Sequence, residues 1–113
     1  MSVASDHPVV HPFRTTVRMD DDLVHVHVAG EVDASSADQF AQILAVAADQ
    51  RPEVALHLDE VTFLDSAALR TIVRAACSIR DAGGRLRLEE CSDVARQILR
   101  TSGLYDVLRA GAA

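Results

Sequence analysis

The chain has 113 residues, 49% of them apolar and 25% charged, with a formal net charge of −6. That is the size of one small domain, able to bury roughly two-thirds of its unfolded surface without disulfide or metal staples and too short for a multidomain enzyme. The balance of 17 acidic against 11 basic residues excludes the clustered positive charge that direct nucleic-acid binding needs, and suits a basic partner better. Every basic residue is arginine. Cys77 and Cys91 form no CxxC pair and no zinc-finger spacing, so reduced thiols in a cytoplasmic protein are expected. No apolar stretch approaches the ~20 residues of a bilayer span, and Met1 to Pro12 lacks the layout of a signal peptide, so no membrane insertion is expected.

Residues 1–11 are small and polar and read as a flexible N-terminal arm, with 12–110 forming a single domain. Phe13, Thr15, Val17 and Met19 alternate with Arg14, Thr16 and Arg18, the period of a half-buried strand. Asp20-Asp21-Asp22 breaks that run, and Val24, Val26 and Val28 then alternate with His25 and His27, which makes an antiparallel hairpin ended by Gly30. After Asp33 the period turns helical, with Phe40, Ile43, Leu44, Ala47 and Ala48 on one stripe and Asp33, Ser35 and Ser36 as candidate caps. Gln50-Arg51-Pro52 stops that helix, and Val54 to Leu58 follows as a short central strand.

A second helix follows Asp65-Ser66, with a stripe of Leu69, Ile72, Val73, Ala76 and Ile79, and ends at Gly83-Gly84. Arg85 to Leu88 is a fourth strand, its leucines inward and its arginines outward. Asp93 to about Ser102 is a third helix closed by Gly103, and Leu104 to Leu108 adds a last apolar patch. The order β-β-α-β-α-β-α points to an α/β, two-layer fold with a four-stranded mixed sheet. The helices cover mainly one face, because His25, His27, His57, Arg85 and Arg87 make the other face too polar to bury.

The stretch most informative about chemistry is Val61 to Val73, where an apolar run meets Asp65-Ser66 and passes straight into a helix. Ser66 therefore lies at or near a helix N-terminus, where unpaired N–H groups and the helix dipole favour negative charge. Simple capping explains such a serine. The same place also accepts a phosphate without unfolding the chain, which makes Ser66 a candidate phosphoacceptor.

The segment Phe63-Leu64-Asp65-Ser66-Ala67-Ala68-Leu69, preceded by Gly30-Glu31-Val32-Asp33 at a strand end, resembles the STAS domains of bacterial anti-sigma factor antagonists. Their pattern has a G-E-[LI]-D turn and a D-S-[ST]-G-L helix start, and the likeness runs from about Phe13 to Leu108. It implies a STAS fold and a partner-switching regulator that is not an enzyme. In that family the unphosphorylated antagonist binds an anti-sigma factor, a serine kinase of the GHKL type, and frees a sigma factor. The kinase phosphorylates the serine matching Ser66, and a PP2C-type phosphatase reverses it. Partner binding then falls to Asp33, Asp65, Ser66, Ala67 and Arg70; ATP and Mg²⁺ belong to the kinase, and this chain needs no cofactor. At Ala67-Ala68 the chain departs from the usual Ser/Thr-Gly, which adds a Cβ where a kinase needs close approach. The alternative role is an unphosphorylated STAS scaffold or subunit in a sensory or membrane-transport assembly.

Other features yield weaker readings. His25, His27 and His57 share a strand face and are expected to be solvated rather than to bind metal, since no carboxylate partner is legible beside them. Cys77 and Cys91 read as packing residues. Arg70 and Arg74 lie one turn apart on an exposed helix face and either solvate it or meet acidic groups of a partner. Asp59 and Asp65 at strand ends are reminiscent of receiver domains, but the opening hairpin and the shortage of βα units exclude that fold.

Overall fold

The computed structural model describes residues 11–109; all but the last residue of the expected arm at 1–11, and the end of the domain at 110, lie outside the described residues. The strands are β1 (Arg14–Met19), β2 (Leu23–Val32), β3 (Glu53–Leu64) and β4 (Arg85–Cys91). The helices are α1 (Ala37–Gln50), α2 (Ser66–Asp81), α3 (Asp93–Thr101) and α4 (Tyr105–Arg109). The sheet order is β1-β2-β3-β4, antiparallel between β1 and β2 and parallel from β2 to β4, so the mixed two-layer α/β fold is present. The apolar patch at the C-terminal end forms α4, one short turn more than expected, with Leu108 buried.

Alternation selects the buried face. Val24, Val26, Val28, Val54, Leu56, Leu58, Leu86 and Leu88 join Phe40, Leu44, Ile72, Ile79 and Leu99 in one core. Each of the larger side chains contributes roughly 1.5–3 kcal/mol by leaving water. Phe13 is half-buried and meets Phe40 edge to face at 6.0 Å, which closes the core beside α1. β1 itself is less covered than a half-buried strand: Val17 is 52% and Met19 49% exposed, because α1 and α2 pack over the sheet centre and, among the described residues, no element covers this edge.

Three strands run further than their apolar patterns suggest: β4 continues past Leu88 to Cys91, through Glu89 and Glu90, and β2 and β3 are lengthened by irregular pairing. Gly30 does not end β2; it lies within it at φ +86°, where the pairing with β3 shifts register. Such a bulge bends the strand and needs a residue free to adopt positive φ. β3 continues to Leu64 through a second irregularity that leaves Asp59 and Glu60 exposed, which masks the strand period. This extension carries the chain to the first residue of α2.

Candidate functional site

Asp65 is the N-cap of α2, and Ser66 is its exposed first residue. The Asp65 carboxylate uses both oxygens: Oδ1 accepts from the Ala68 N–H at 2.9 Å and Oδ2 from the Ala34 N–H at 3.1 Å. Its own N–H donates to the Val32 carbonyl at 3.1 Å. One side chain thus starts the helix and ties it to the turn after β2. Asp65→Ala is expected to destabilise the fold by about 2 kcal/mol, the sum of a lost cap and a lost hydrogen bond, read as a lower urea midpoint.

The tied turn holds Asp33. Its Oδ1 accepts from the Ser35 hydroxyl at 2.6 Å and the Ser35 N–H at 2.9 Å. These bonds, the hydroxyl first, hold the Asp33 carboxyl below the usual carboxylate range. Ser36 occupies the N-cap position of α1 but does not cap it with its side chain; its hydroxyl accepts from the Asp33 N–H at 3.1 Å instead. The Asp33 turn and the start of α2 therefore lie side by side, each with a carboxylate held in place by hydrogen bonds.

The phase of α2 separates two faces. Ala68, Thr71, Ile72, Ala76 and Ile79 are buried, and Ser66, Arg70, Val73 and Cys77 point outward. Val73 therefore does not belong to the buried stripe: it is 38% exposed, because Ile72 beside it already faces the core and adjacent helix positions are about 100° apart. Cys77 is exposed rather than packed, and Cys91 is half-buried, where burial pushes its thiol up. Ala68 is fully buried, so the Cβ gained over the usual glycine faces the core and not an approaching protein. Ala67 is half-buried, and its carbonyl accepts from the Thr71 hydroxyl at 2.9 Å.

The exposed surface continues past Ser66 in both directions. Phe63, at the end of β3, is 47% exposed. On the other side Leu69 borders a groove of about 460 Å³ between α2 and α3, lined also by Val94, Gln97 and Ile98. These apolar residues were not among the expected site residues. The exposure of Phe63 and Val73 follows from strand length and helix phase, which the apolar pattern alone leaves undetermined. Arg70 stands one turn beyond Ser66 and forms no ion pair among the described residues; Arg74 borders a separate groove between α1 and α2.

Among the described residues no set of three metal-ligating side chains converges, and no helix is long and apolar enough to cross a membrane. The protein family described as Mlab, STAS domain matches residues 15–109. The anti-sigma-B factor antagonist of Bacillus subtilis (strain 168) is 28% identical over 92 residues, covering 81% of this chain and 84% of that protein. Its namesake from Listeria monocytogenes is 32% identical over 91 residues, covering 79% of each. Among solved structures, an anti-sigma factor antagonist from Mycobacterium paratuberculosis superposes with a TM-score of 0.75 at 26% identity, covering 86% of this chain and 83% of that one. The unphosphorylated anti-sigma factor antagonist SpoIIAA shares the fold with a TM-score of 0.71 at 20% identity, covering 82% and 84%. Strand order, the Asp65-Ser66 helix start and these likenesses agree: the chain belongs to the STAS-domain family of anti-sigma factor antagonists.

Proposed function

We propose that this chain binds an anti-sigma serine kinase of the GHKL type while Ser66 is unmodified, frees a sigma factor by doing so, and loses the kinase once Ser66 is phosphorylated. A PP2C-type phosphatase restores binding, and the cycle runs in the cytoplasm. The partner surface comprises Asp33, Asp65, Ser66, Ala67 and Arg70, extended by the exposed side chains of Phe63 and Val73 and the half-buried Leu69. STAS antagonists act by binding, so ATP and Mg²⁺ are the kinase's own.

The observation that carries this reading is the exposed Ser66 hydroxyl at the first position of α2, beside an Asp65 carboxylate whose two oxygens are already committed. A phosphate there meets the favourable end of the helix dipole, so the fold survives it. SpoIIAA, whose fold this chain shares, is described in both an unphosphorylated and a phosphorylated form, which supports the same switch here. Incubation with a GHKL kinase and ATP, followed by mass spectrometry, is expected to place one phosphate on Ser66. Neither a phosphate there nor a kinase complex would leave the scaffold or transport-subunit role instead.

A further inference from the structure

The sheet face left open by the helices carries a chain of hydrogen-bonding groups that the switch at Ser66 does not use. His25 Nδ1 lies 2.9 Å from His57 Nε2. The outer nitrogen of each ring meets a carboxylate: His25 Nε2 lies 3.0 Å from Asp20 Oδ2, and His57 Nδ1 lies 3.3 Å from Glu90 Oε1. The line runs from the β1–β2 turn through β2 and β3 to β4. The expectation of solvated histidines is thus corrected, since these two side chains are only 12% and 10% exposed and water cannot freely replace their bonds. His27 stacks on His57, with ring centroids 4.1 Å apart and planes 12° from parallel.

Counting protons along this line defines its charge. An ionised carboxylate only accepts, so each outer ring nitrogen must carry a hydrogen, and the central link needs one hydrogen between its two nitrogens. The three links therefore require three protons on the two rings. Two neutral imidazoles bring one each, one too few; two imidazolium ions bring two each, which sets N–H against N–H at the 2.9 Å contact. We propose that His25 and His57 form a proton-sharing pair, a clamp across β2, β3 and β4 whose bonding is complete only when the pair carries a single positive charge.

The surroundings fit that state. Asp20, Glu90 and Asp59 of β3 supply negative charge, and Arg18 of β1, which pairs in register with His25, opposes a second positive charge. Glu60 of β3 lies by His27, while Arg87 of β4 is engaged with Glu89 at 2.9 Å and Glu53 at 3.9 Å. The bond from His25 holds the Asp20 carboxyl down to about 2, so it stays ionised as the pair titrates. Burial, then the charge of His57 and of Arg18, holds His27 below the ordinary imidazole value.

The sign of the pH dependence follows from which state binds more protons. The first proton completes the line, so stability falls as the pH rises far enough to remove it. The second breaks the central link, so stability also falls as the pH drops far enough to add it. Long-range ¹H–¹⁵N NMR of the full chain across about pH 5 to 8, the range in which imidazoles change charge, is expected to show two coupled proton steps on His25 and His57 with three of their four nitrogens protonated between them. The urea midpoint is expected to pass through a maximum in that window, and His25→Gln and His57→Gln to abolish the maximum. Two rings titrating as unlinked groups, or a pH profile unchanged in both variants, would overturn the proposal. If either variant fails to fold, the wild-type NMR titration decides alone.

Discussion

Ser66→Asp is expected to bind the proposed kinase partner on the order of a hundredfold more weakly than the unmodified protein, and Ser66→Ala to bind within a few-fold of it. The difference comes from where the charge goes. A neutral hydroxyl at the first position of α2 can be covered by a partner at little cost, whereas a carboxylate there must be stripped of water inside the interface. It also lies beside Asp65, whose oxygens are committed to Ala34 and Ala68 and whose charge is therefore fixed in place. Phosphate adds about −1.5 to −2 charges at the same point and acts more strongly. Calorimetry or surface plasmon resonance with the kinase reads the difference; equal affinities for the two variants would sink the switch. Circular dichroism of the Ser66→Asp protein should match the wild type, since the helix end accommodates the charge.

Gly30→Ala is expected to lower stability by about 3 kcal/mol or more, a large share of what a domain of this size has to lose. Two penalties combine. Gly30 sits at φ +86°, where an L side chain is strained. An added Cβ would also stand 2.1 Å from the Pro12 carbonyl oxygen and 2.7 Å from that of His11, so the backbone leading into β1 must move. That movement would break the hydrogen bond from the Glu31 N–H to the His11 carbonyl, now 2.8 Å. Urea unfolding followed by circular dichroism checks the loss, and a midpoint unchanged from wild type would mean that the entry to β1 yields freely. Because β2 leads directly from this bulge to Asp33, such a variant should also weaken binding of the proposed kinase partner.

The opening hairpin, the central strand and the helix periods are legible because each rests on apolar residues at short spacing. Asp65-Ser66 is legible for the same reason: a cap and a helix start are local matters. What the chain hides is phase and distance. Leu69, Ile72 and Val73 are equally apolar, and only packing against the sheet decides that Val73 turns outward. The bulges at Gly30 and beyond Leu56 lengthen two strands without leaving an alternating pattern. The carboxylate partners of His25 and His57 escape notice because His57 and Glu90 come together only once β3 and β4 pair, and Asp20 reaches His25 only through the geometry of its turn. Asp65 and Ala34 likewise meet across the parallel β2–β3 pair.

The exposed edge formed by β1 bears on behaviour at high concentration. Among the described residues β1 pairs only with β2, and a strand edge with Val17 and Met19 uncovered is a template for a second copy, as such edges commonly seed association. Laid antiparallel about Thr16, two copies of β1 would bring Arg14 of each against Arg18 of the other. The self-repulsion of these arginines discourages the chain from templating its own assembly.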